Sequence, residues 1–207
     1  MRPAFLFEHK QDQDEGDVDA DWSVELGADD PVLEVPWTSP GGDLRFVDLR
    51  AHPNEIDRLA EVQHYPEMGE FLREMNGSAS RLATVKCDVW VSSEIEPAEE
   101  IFGGSQKIGS YCDVIFRDEA ARGSFDSHEQ FVRALASRFR EGAPELQSFA
   151  EWIVRRSVMA RRADKVSGYA VTTFIFGYGM NAAGARQSWK QTLGLVANGM
   201  AALSQRL

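Results

Sequence analysis

An α+β fold, built mainly on an antiparallel sheet with its helices packed on one face, is what this 207-residue chain predicts. Three observations predict it. Strand-like segments come in pairs joined by polar connectors, two short ones and the longer loop 94–107. Each pair runs into an amphipathic helical segment. The resulting units have comparable lengths, and Lys86-Cys87-Asp88-Val89-Trp90 resembles Tyr111-Cys112-Asp113-Val114-Ile115. The expected organisation is one domain over 1–207. An acidic strand-and-loop segment at 1–31 precedes three ββα units at 32–77, 78–142 and 143–207.

Taken in order, residues 3–8 and 22–26 are short apolar stretches flanking an acidic run, and predict two strands joined by a charged loop. Residues 32–37 and 44–49 predict a hairpin across Pro40-Gly41-Gly42, since these residues favour a tight reversal. Pro53 suits a first helical turn. Pro66 interrupts that helix, and a second stretch with Met68, Phe71, Leu72 and Met75 stops at the Asn76-Gly77 cap.

In the second unit, period-two alternation over 82–92 sets Val85, Cys87, Val89 and Val91 on one face and Thr84, Lys86, Asp88 and Trp90 on the other. The return strand is expected near 108–117. A capping box at 126–130 then opens a helix carrying Phe131, Leu135 and Phe139. In the third unit, 151–159 and 169–178 read as strands. Asn181 caps a final helix near 182–205 with a Trp189, Leu193, Val196, Met200 and Leu203 stripe.

Composition narrows the function classes. The net charge is −11, and residues 1–31 hold ten acids against Arg2 and Lys10. Phosphate backbones and anionic membranes attract basic surfaces, so neither nucleic acid nor a membrane is the expected partner; a basic protein is. No apolar run reaches the roughly 18 residues of a membrane span. The first ten residues lack the roughly 7–15-residue apolar core of a secretory signal. With two cysteines and no disulfide framework, a reducing cytoplasm is the expected location.

The motif-like segments fail on context. Gly177-Tyr178-Gly179-Met180-Asn181-Ala182 has dinucleotide spacing, but only one helix follows, so it reads as a turn with a helix cap. Gly103-Gly104-Ser105-Gln106-Lys107-Ile108-Gly109-Ser110 has its lysine before the glycine and leads into a strand, unlike a phosphate loop. A calcium loop starting at Asp17 would set Trp22 at the obligatory glycine and Ala28 at the bidentate glutamate. Cys87 and Cys112 lack two further ligands for zinc and read as buried core thiols. No cofactor or metal site is therefore expected, and no catalytic residue stands out.

One constellation remains. Alternation sets Lys86, Asp88 and Trp90 on one face beside Tyr111 and Asp113, and Arg155 or Arg156 is placed to join from the third unit. Carboxylates, cations and aromatic rings on an uncovered sheet face suit ligand or partner binding, or a homodimer contact. The leading expectation is a non-enzymatic interaction protein, for instance an acidic inhibitor or immunity-type protein for a basic partner. The alternative is a small-molecule enzyme with a carboxylate/lysine site on that face.

Overall fold

The computed structural model describes residues 20–142, 146–161 and 164–206. The expected strand at 3–8 and the acidic run before Ala20 lie outside the described residues. Within them, one six-stranded sheet is formed by β1 (Ala20–Glu25), β2 (Leu33–Val35), β3 (Leu82–Ser92), β4 (Gln106–Phe116), β5 (Ser148–Arg161) and β6 (Asp164–Gly179). The order is β1-β5-β6-β4-β3, with β2 taking β1's place further along β5. Among the described residues five α-helices accompany it: α1 (Ala60–His64), α2 (Pro66–Asn76), α3 (Glu119–Gly123), α4 (Phe125–Gly142) and α5 (Ala182–Ser204).

The sheet is mixed rather than mainly antiparallel throughout. β3–β4, β4–β6 and β5–β6 are antiparallel, whereas β1 and β2 both run parallel to β5. Two of the three expected hairpin–helix units are present, β3–β4 before α3 and α4, and β5–β6 before α5. The first is not. The turn at 39–44 forms, with Gly42 donating to the Ser39 carbonyl from a φ of 74°. Only one bridge, Thr38 to Arg45, follows it. Leu33–Val35 lies parallel beside β5, and 44–49 forms no ladder beyond that bridge.

The helices cover the face that carries the cysteines. Its core joins Cys112, Val114 and Phe116 of β4 and Trp152 of β5 to Phe131 and Phe139 of α4 and to Trp189 and Met200 of α5. Trp189 is fully buried and donates its indole N–H to Ser110 Oγ at 2.9 Å. Gly177 lets α5 sit this close: a Cβ there would lie 2.2 Å from the backbone nitrogen of Trp189. Gly177 and Gly179 are thus strand residues that admit close packing of α5, not a turn pair. Asn181 caps α5 as expected, accepting from Gly184 N–H at 2.9 Å.

Two caps differ from the sequence reading. α4 starts earlier, where Ser124 Oγ accepts from Ser127 N–H at 3.1 Å in place of Asp126. Asn76 turns inward: Nδ2 donates to Leu72 O and Thr84 Oγ1, while Oδ1 accepts from Thr84 N–H. It holds α2 to β3 where the β3–β4 register shifts between Thr84 and Lys86.

Candidate functional site

The face away from the helices collects Lys86, Asp88, Trp90, Tyr111, Asp113 and Arg155, but the bulge between Thr84 and Lys86 reverses the expected facing just before them: Val85 joins this face and Thr84 turns toward Asn76 of α2. Lys86 pairs in register with Asp113, Asp88 with Tyr111 and Trp90 with Gly109, while Cys87 opposes Cys112 on the helix-covered side. A one-residue slip would exchange these sets, and from Lys86 onward the register holds as expected. The rows continue across the sheet. One runs Lys86, Asp113, Thr172, Ile153, Ser23; the next runs Asp88, Tyr111, Phe174, Glu151, Asp21.

Apolar packing closes both ends of this strip. At one end Val35, Trp37 and Phe46 from the 33–46 loop pack on Val85, Ile115 and Ala170. Trp37 is anchored by its indole N–H to Val85 O at 2.8 Å. At the other end Ile95 and Phe102 sit with Phe149, Phe176 and Tyr178. The 3-10 turn Pro97–Phe102 is pinned there. Phe102 stacks on Tyr178 at 4.4 Å, and Glu99 accepts from Tyr178 OH at 2.9 Å and from Lys107 Nζ at 2.6 Å. Both partners of the Lys107–Glu99 pair are largely buried, so the loop is held by charge-assisted bonds in a low-dielectric site.

Between the two ends lies a polar relay. Glu25 accepts from Arg155 Nε at 2.7 Å, Arg155 Nη1 donates to Thr172 Oγ1 at 3.2 Å, and Thr172 donates to Asp113 Oδ1 at 2.5 Å. Burial raises the Asp113 carboxyl above its usual range, and the Thr172 bond, Arg155 and Lys86 oppose that rise. Lys86 Nζ lies 5.3 Å from the Trp37 ring and 5.7 Å from the Tyr111 ring, within cation–π range of both. Desolvation raises the Tyr111 phenol, with Asp113 and Asp88 adding to it. The phenol stays protonated at neutral pH.

Glu151 stands outside this relay. It is half-buried beside Phe174, and its carboxyl is pushed up to about 7 by desolvation and then by Asp21 and Glu25. Asp21 is its register neighbour on β1, so two carboxylates stand side by side. Among the described residues no hydrogen bond or ion pair reaches Glu151, and Arg155, its nearest opposing charge, is engaged by Glu25.

All six sequence candidates (Lys86, Asp88, Trp90, Tyr111, Asp113 and Arg155) therefore share one face, but they do not converge on one point. Lys86, Asp113 and Arg155 belong to the relay, Tyr111 and Asp88 to the adjoining row, and Trp90 packs edge-on to Phe176 at 5.9 Å. Sequence reasoning missed Glu25, Thr172 and Glu151. Glu151 was findable, because period-two alternation along β5 puts it on the Arg155 face. Glu25 was not, because nothing local foretells that β1 lies parallel beside β5.

The arrangement suits holding a cation: five carboxylates (Asp21, Glu25, Asp88, Asp113, Glu151) face two basic groups, above an aromatic floor. Among the described residues no group of three or more His, Cys, Asp or Glu is placed to hold a metal ion. No described helix is long and apolar enough to cross a membrane. Searches against family models, curated proteins and solved structures found no match.

Proposed function

We propose that this chain is a binding protein that takes a basic group of its partner, an ammonium or guanidinium, on the strip beside Glu151. The observation that carries this reading is the Glu151 carboxylate itself, half-desolvated, flanked by Asp21 and Glu25 and lacking a cation of its own. Leaving a partly buried carboxylate without a counter-charge is costly, and an incoming cation offsets that cost. Phe174 and Tyr111 supply apolar area and π-faces beside it.

An acidic inhibitor or immunity-type protein acting on a basic partner is one form of this reading, supported by the net charge of −11. A homodimer through the same face is disfavoured, because it would bring the same acids together. Free thiols suit a reducing cytoplasm. The enzymatic alternative rests on one feature. A carboxyl that titrates near 7 is poised for general-base work, so the base would be Glu151 rather than Asp88 or Asp113.

The test is an NMR titration with N-acetylarginine amide, with the neutral N-acetylcitrulline amide as control. The reading expects saturable shifts confined to the strip for the arginine compound alone, and Glu151→Gln should weaken binding about tenfold, roughly 1.4 kcal/mol. Equal responses to both compounds, or shifts scattered over the surface, would remove the basis for it.

A further inference from the structure

We infer that Cys87 and Cys112 form an oxidative modification site, in which a peroxide converts the two thiols into an intramolecular disulfide across β3 and β4. The inference is independent of the binding reading, since this pair lies on the helix-covered face. Both cysteines are free and stand directly opposite each other in the antiparallel register.

The kind of register position matters. Beyond the bulge at Val85, the Val89 N–H is taken by the side chain of Asp88, so the odd-numbered backbone groups of β3 from Cys87 on turn away from β4. That makes Cys87–Cys112 a non-hydrogen-bonded pair, the closer of the two kinds, with Cα atoms about 4.5 Å apart. Disulfides need roughly 4.4–6.8 Å between Cα atoms, so the bond can form without moving the backbone.

Cys87 is partly exposed and Cys112 is buried, which assigns the order of events. The Cys87 thiolate attacks one peroxide oxygen, the O–O bond breaks, and hydroxide leaves and is protonated to water. The product is a Cys87 sulfenic acid. The Cys112 sulfur then attacks the Cys87 sulfur, the S–O bond breaks, and the departing hydroxide takes the Cys112 proton as a second water. Two thiols have lost two electrons and one hydrogen peroxide has become two waters. Burial pushes the Cys87 thiol up to about 12 and the Cys112 thiol well above its normal range, so the site oxidises slowly.

The test treats the full chain with hydrogen peroxide under conditions that leave its circular dichroism unchanged, then alkylates it in denaturant. The expected result is a fall from two alkylatable thiols to none, a mass loss of two hydrogen atoms, a monomeric band on a non-reducing gel, and full recovery of both thiols with dithiothreitol. Cys87→Ser should abolish the mass loss. Two thiols surviving in folded protein, bridging only after unfolding, covalent dimers, or oxygen added to sulfur in place of the bridge would each overturn the inference.

Discussion

Thr172 and Asp113 share a 2.5 Å hydrogen bond across the β4–β6 pair, and that bond ties a buried carboxylate to the neighbouring central strand. Thr172 Oγ1 receives from Arg155 and gives to Asp113, so one hydroxyl serves both charges. Replacing it leaves each with one partner fewer inside the protein. Thr172→Val keeps the shape and is expected to cost about 1–3 kcal/mol, the usual penalty for an unsatisfied buried polar group. It should also raise the Asp113 carboxyl further. Urea denaturation checks the first expectation. An unchanged midpoint would mean that the relay contributes nothing to stability.

His128 predicts acid lability. Its ring is buried between Phe116 and Tyr169, and Nδ1 donates to the Ser124 carbonyl at 2.8 Å, which fixes the neutral tautomer. Desolvation pulls its pKa down to about 4. Between roughly pH 6.5 and 4 the unfolded chain therefore binds a proton that the folded chain refuses, and stability falls as pH drops through that window. The full difference is about 3 kcal/mol. His128→Phe should flatten this part of the stability–pH curve.

The seat of α5 on β6 depends on the absence of a side chain. Gly177→Ala puts a Cβ against backbone atoms of Trp189 and Ala185, at 2.2 and 2.6 Å, so the helix must shift. A loss of about 1–3 kcal/mol is expected from overpacking. Trp189→Ala removes a fully buried ring and should cost about 3–5 kcal/mol. Calorimetry on both variants checks this; wild-type melting in either would contradict the packing described.

Binding of a basic probe should depend on pH. Glu151 is protonated below about 7 in the free protein, and a cation favours its ionised form. Affinity should therefore rise as pH increases through 7, by linkage. Glu151→Gln should give a flat profile over the same range, measured by isothermal titration calorimetry.

Much of this was legible in the chain because alternation is a local property. Val85–Val91 and Tyr111–Phe116 alone set Lys86, Asp88, Tyr111 and Asp113 opposite the cysteines, and α5 was legible from its Trp189–Met200 spacing. What escaped was non-local. The parallel seating of β1 and β2 beside β5 pairs residues about 130 positions apart in sequence, Glu25 with Arg155 for example. Leu44–Leu49 alternates well enough to read as a strand, yet its expected partner, Leu33–Val35, lies beside β5 instead. Glu151 was overlooked because its meaning comes from Asp21, which the fold brings alongside.

The central claim is that Glu151 awaits a partner's cation, and its carboxyl titration tests that most directly. Side-chain ¹³C shifts of Glu151 should give a pKa near 7 in the free protein, falling by about one unit or more with saturating N-acetylarginine amide, as an adjacent opposite charge requires. A pKa in the ordinary glutamate range without the probe, or one near 7 that the probe leaves unmoved, would contradict the account.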